Sequence, residues 1–146
     1  MATTEVRELT TAAEWRAAFE VIGHLRDHLT EAEYLDYLAE MRDEGYRLFA
    51  VCEGNEIVSV AGVVVRTNLY NGRHLFVCDL VTRPERRSEG HGARLMGFVE
   101  DWARDRGCEH VALESGRWRD EAHRFYEATL GMERFCYTFR KPLDGA

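Results

Sequence analysis

Val77-Cys78-Asp79-Leu80-Val81-Thr82-Arg83-Pro84-Glu85-Arg86-Arg87-Ser88-Glu89-Gly90-His91-Gly92-Ala93-Arg94-Leu95-Met96 changes character twice. An apolar run stops at Pro84 and a basic, glycine-containing loop follows. Leu95, Met96, Phe98, Val99, Trp102 and Ala103 then recur at helical three-to-four spacing, with Gly107 placed to cap the end. The pattern predicts a strand running through a glycine turn into a helix N-terminus. Such a junction gathers unpaired backbone N–H groups and the positive end of the helix dipole. Gly90 and Gly92 keep Cβ atoms out of a ligand's approach. The same glycines also suit a plain tight turn, with Arg83, Arg86, Arg87 and Arg94 as solvated surface charge, so both readings stay open at this point.

Two phosphate-binding patterns are absent. A dinucleotide fingerprint needs glycine where Leu95 stands, and a P-loop needs Gly-Lys-Ser/Thr. What remains is Arg-x-x-Gly-x-Gly, as Arg87-Ser88-Glu89-Gly90-His91-Gly92, followed by Ala93-Arg94-Leu95-Met96. This segment resembles the acyl-CoA pyrophosphate loop of the GNAT superfamily of N-acetyltransferases. A second resemblance lies downstream, where Ala122-His123-Arg124-Phe125-Tyr126 followed by Gly131-Met132 is similar to that family's Ala-x-x-Phe-Tyr…Gly-Phe segment.

The rest of the chain supplies elements in a matching order. Val6 to Leu9 reads as a strand. Thr11-Ala12-Ala13-Glu14 and Thr30-Glu31-Ala32-Glu33 have capping-box spacing ahead of two amphipathic helices, the second ending near Gly45. Leu48 to Cys52 and Ile57 to Val65 form a hairpin about Gly54-Asn55, and Asn71-Gly72 turns the chain into the opening stretch. After the glycine loop and its helix, His110 to Glu114 is a short strand that a crossover places parallel to Val77–Val81. A helix from about Arg119 to Leu130 is expected to stop at Gly131, and Phe135, Tyr137 and Phe139 alternate as in a final strand.

The expected fold is therefore α+β, an α/β sandwich. A mixed, mostly antiparallel sheet carries helices on both faces in the order β-α-α-β-β-β-α-β-α-β, which is also the GNAT order. With 146 residues the chain suits one domain, residues 1–146. A net charge of −7 disfavours nucleic acid; it reads as a solvated, soluble surface, and the competing reading is encounter with a cationic partner. No run approaches a membrane-spanning length, and the first residues lack a signal peptide's apolar core, so a cytoplasmic location away from membranes is expected. A homodimer is left open. Cys52, Cys78, Cys108 and Cys136 lack metal-ligand spacing and read as reduced core residues.

The resemblance implies acetyl-CoA as cosubstrate. Its pyrophosphate would lie on Arg87, Ser88, Glu89, Gly90, His91, Gly92, Ala93 and Arg94, and its pantetheine arm would pair like an extra strand with Leu80, Val81, Thr82 and Arg83. An amide near Val81 would face the developing oxyanion, and the acetyl group would pass directly to a primary amine of a small molecule. A protein amine, or acyl-CoA sensing without turnover, is the alternative. Tyr126, on one helix face with Ala122, is expected to point inward and protonate the departing thiolate; the competing reading is a core tyrosine with its hydroxyl satisfied. Asp79 interrupts an apolar strand and is the candidate base; the competing reading pairs it with an arginine or a backbone N–H. Arg119 replaces a cofactor-contacting asparagine of many members and would bind a phosphate instead. Ser88, Glu89 and His91 also depart from the usual residues, and His123 reads as structural. The segment Arg119–Tyr126 and the aromatic, basic C-terminal stretch resemble the aminoalkylphosphonate N-acetyltransferase branch.

Overall fold

The computed structural model describes residues 3–144. The chain divides into two compact units, Met1–Leu113 and Glu114–Ala146. The first holds β1 (Thr4–Leu9), α1 (Ala12–Ile22), α2 (Glu31–Asp43), β2 (Arg47–Glu53), β3 (Glu56–Asn68), β4 (Gly72–Thr82), a 3-10 turn at Pro84–Arg86, α3 (His91–Asp105) and β5 (His110–Leu113). The second holds α4 (Asp120–Arg124) and a π-helical turn at Phe125–Thr129.

Both capping boxes form as the spacing requires. Thr11 and Thr30 accept from the N–H groups of Glu14 and Glu33, whose carboxylates bond back to the cap backbones. Arg7 also pairs with Glu14, fastening β1 to the start of α1. At the end of α3, Gly107 takes φ +74° and the Cys108 N–H returns to Ala103 O, a glycine stop of the expected kind.

The sheet runs β1-β2-β3-β4-β5, antiparallel through β4, with β5 parallel to β4. Alternation along β2 sends its side chains to two cores. Leu48, Ala50 and Cys52 pack with Ala18, Val21, Ile22, Tyr34 and Leu38 of α1 and α2. Phe49 faces the other way, its ring 5.5 Å from Phe98 and 5.4 Å from Trp102 of α3. Helices therefore cover both sheet faces, and the expected α+β class holds. Among the described residues, no helix is long and apolar enough to cross a membrane.

Three expectations are corrected. Residues 131–142 form no strand, and Phe135, Tyr137 and Phe139 are exposed. Alternation makes a strand only where a neighbour receives the backbone hydrogen bonds, and no ladder reaches this segment among the described residues. The helix expected from Arg119 to Leu130 is a five-residue α4 followed by the π turn, in which the Leu130 N–H bonds Phe125 O. Of the four cysteines, none in a disulfide, only Cys52 is buried and Cys136 is exposed.

Candidate active site

β4 changes its surroundings halfway along. β5 accompanies it from His74 to Val77 and ends there. At that point the β3–β4 register shifts, with Gly62 opposite Asp79 and Val63 opposite Val77, so Cys78 is the extra residue of a β-bulge. The Arg83 N–H donates to Val58 O at 2.9 Å, making that a bonded pair. Antiparallel alternation then makes Val81–Val60 and Asp79–Gly62 bonded pairs as well, and turns the N–H and C=O of Leu80 and Thr82 to the edge that β5 has left. The open-edge amides nearest Val81 thus belong to Leu80 and Thr82, while Val81 itself faces β3. Buried Ser59 donates to Val81 O at 3.1 Å and bonds Thr82 Oγ1 at 2.9 Å, bracing this end of the strand from behind.

Asp79 sits in the bulge with a side chain only 12% exposed. Arg26, between α1 and α2, donates through Nε to Asp79 Oδ1 at 3.0 Å and through Nη2 to Cys78 O at 2.9 Å. The hydroxyl of buried Tyr46 donates to Asp79 Oδ2 at 2.8 Å. Burial and then the Asp79 charge push the Tyr46 phenol well above its usual range, so it remains the donor. The arginine partner weighed in the sequence is present. Each carboxylate oxygen accepts one of these bonds and keeps a further lone pair. A small cleft beside the cluster is lined by Met41, Glu44, Tyr46, Val64, Val65, Arg66 and Cys78.

The segment from Arg83 into the first turn of α3 gives its four arginines different tasks. Arg83 donates to Ile57 O at 2.6 Å and to Glu20 at 3.2 Å. Arg86 is held by Glu53, Glu56 and Glu89, and Arg94 donates to Thr4 O at 3.1 Å. Arg87 is exposed, and its guanidinium has no partner among the described residues. Glu89 turns to His91 and Arg86, which hold its carboxyl below the usual range. Gly90 caps α3 with φ +85° and no side-chain cap bond, so the amides of its first turn, at His91, Gly92 and Ala93, end in backbone alone. Ser88, at φ 65°, shares the left-handed geometry that bends the loop into the helix.

In the second unit, Tyr126 lies in the π turn and is buried; its carbonyl accepts from the Met132 N–H at 3.0 Å. Arg119 is the N-cap of α4, and its guanidinium has no partner among the described residues. The His123 Nε2 bonds Gly116 O at 2.9 Å, consistent with a structural histidine.

A strand edge free of β5, leading into a helix N-terminus with no side-chain cap beside one free arginine, offers amides to an extended chain and then to an anion. The model of the acetyltransferase (GNAT) family matches residues 9–132. The chain belongs to the GNAT family. It is an acetyl-CoA-dependent acetyltransferase. Bacillus subtilis (strain 168) has a similar protein, an uncharacterized N-acetyltransferase named YhdJ. It is 38% identical over 139 residues, covering 94% of this chain and 98% of that one. The aminoalkylphosphonate N-acetyltransferase of Salmonella typhimurium is 24% identical over 145 residues, covering 98% and 94%. Among solved structures, aminoglycoside N-acetyltransferase AAC(6')-Iy in complex with CoA has a TM-score of 0.86 at 15% identity, covering 99% of this chain and 97% of that one, a likeness of fold.

Sequence reasoning missed Arg26, Tyr46 and Gly62. A signal was present for Gly62, since a lone glycine within the apolar run Val58 to Val65 marks a bulge or a close approach. Nothing in the pattern around Arg26 distinguishes it from other basic residues at a helix end.

Proposed function

We propose that this GNAT member transfers the acetyl group of acetyl-CoA directly to a primary amine of a small molecule, within one domain spanning residues 1–146 in the cytoplasm. The observation that carries the reading is the edge of β4 from Cys78 to Thr82, free of β5 and continuous with the loop into α3. The pantetheine arm pairs with the open-edge groups of Leu80 and Thr82, with Val81 and Arg83 setting the strand. The pyrophosphate rests on the Arg87–Arg94 segment, with the amides at His91, Gly92 and Ala93 and the Arg87 guanidinium as donors and Gly90 and Ser88 shaping the turn. Arg119 serves as a second phosphate ligand.

In the reaction the neutral amine nitrogen attacks the thioester carbon and the carbonyl electrons move onto oxygen, facing an open-edge amide. The nitrogen's proton passes to Asp79, directly or through water. The C–S bond then breaks, and Tyr126, assigned on the sequence motif, supplies a proton to the departing thiolate. A small acceptor is supported by the aminoalkylphosphonate relative. The net charge of −7 favours a cationic one.

The test is acetyl-CoA-dependent thiol release against a panel of amines that includes aminoalkylphosphonates, aminoglycosides and lysine peptides. Turnover with a small amine supports the reading. Binding of acetyl-CoA without release on any amine turns it into a sensor, and release on peptides alone makes the acceptor a protein.

A further inference from the structure

We infer that Arg26 is a positioning residue: with Tyr46 it clamps the β4 bulge, and so fixes the direction of the Leu80 and Thr82 amides on the open edge. A bulged residue is left out of the ladder and increases local twist. An interior strand would be steadied there by its second neighbour, but the pairing with β5 stops at Val77, one residue before the bulge. The Arg26 guanidinium takes that place. It grips the Cys78 carbonyl and the Asp79 carboxylate together, at 2.9 and 3.0 Å, which requires a planar fork that lysine lacks. Its own backbone is anchored, the Arg26 N–H bonding Ile22 O at 2.8 Å at the end of α1.

The opposite side of the carboxylate is closed by Tyr46, which reaches it across Gly62. Donors from the α1–α2 connection and from the residue just before β2 thus converge on two consecutive residues of β4. Arg26 itself is 39% exposed at its side chain, so its removal leaves the apolar core intact. The consequence for turnover rests on the acetyl-transfer reading; the clamp itself does not.

The experiment compares the parent with Arg26→Ala and Arg26→Lys in two measurements. In the chain without ligand, amide exchange at Asp79 and Val81 is expected to quicken by ~10-fold or more in the Ala variant and by less in the Lys variant, while β1 and β2 keep parent rates. In thiol release, kcat is expected to fall ~10–100-fold in the Ala variant, with partial rescue by lysine and little change in KM for acetyl-CoA, as for a reacting carbonyl displaced by a fraction of an ångström. Parent-like exchange at Asp79 and Val81 overturns the clamp. So does faster exchange across the whole sheet, with activity lost only in step with Tm, because Arg26 is then a stability residue. Local loosening with full turnover overturns the positioning role. A parent inactive on every amine that still shows the local exchange pattern refutes acetyl transfer and retains the clamp.

Discussion

Tyr46 reaches Asp79 through the space that a side chain at residue 62 would fill. The two bond at 2.8 Å, Gly62 stands opposite Asp79 in the ladder, and a Cβ built on Gly62 would land on the Tyr46 hydroxyl. A glycine in β3 is thus a condition for the carboxylate's geometry in β4.

Gly62→Ala is therefore expected to displace the buried Tyr46 ring and break its bond to Asp79. Overpacking and a lost partner for a buried hydroxyl each cost ~1–3 kcal/mol. Urea unfolding measures the sum. A midpoint equal to the parent's would mean that Tyr46 moves aside freely.

Gly92→Leu tests the anion cradle. Gly92 lies in the first turn of α3 and not at positive φ, a backbone that leucine also adopts, so the variant should fold. Acetyl-CoA should raise the Tm of the parent by mass action and leave the variant's unmoved. Equal shifts would remove the cofactor from the start of α3.

Asp79→Asn keeps the size of the side chain but sets an NH2 group against Arg26 or Tyr46, both donors. Stability should fall, and kcat should fall while acetyl-CoA affinity changes little. A folded Asn variant with the parent's turnover would reduce Asp79 to its part in the clamp.

Tyr126→Phe removes a donor while keeping the ring. Turnover is expected to drop by ~10²–10⁴-fold at nearly constant acetyl-CoA affinity. Full activity would assign the thiolate's proton to water or to the amine; a loss confined to Tm would make Tyr126 a core residue only.

Acid stability has a traceable contributor in Glu14. The Arg7 side chain, then the Thr10 N–H, hold its carboxyl at about 2 against an ordinary 4.5. The unfolded chain thus takes up this proton at higher pH than the folded one. The stabilisation is complete above about 4.5 and is lost as pH falls toward about 2. Glu14→Gln should flatten the decline of Tm across that window, and an unchanged slope would place the acid sensitivity elsewhere.

Local chemistry in the sequence determined much of the fold. Thr11 with Glu14 and Thr30 with Glu33 fixed where two helices begin, Gly107 where α3 ends, and Asn71-Gly72 where β4 starts, because each acts through neighbours a few residues away. The glycine loop was legible for the same reason, since a helix N-terminus is made by consecutive residues. Tertiary structure alone decided which groups face it and how they are spent. Arg83, Arg86, Arg87 and Arg94 are equivalent as letters, yet Glu20, Glu53, Glu56 and the Thr4 carbonyl engage three of them and leave Arg87 free. Arg26 lies 53 residues from Asp79 and Tyr46 lies 33 away, separations no periodicity encodes. The aromatic alternation at Phe135, Tyr137 and Phe139 met the converse limit: a sequence can offer a strand, but a strand exists only where another backbone accepts its hydrogen bonds.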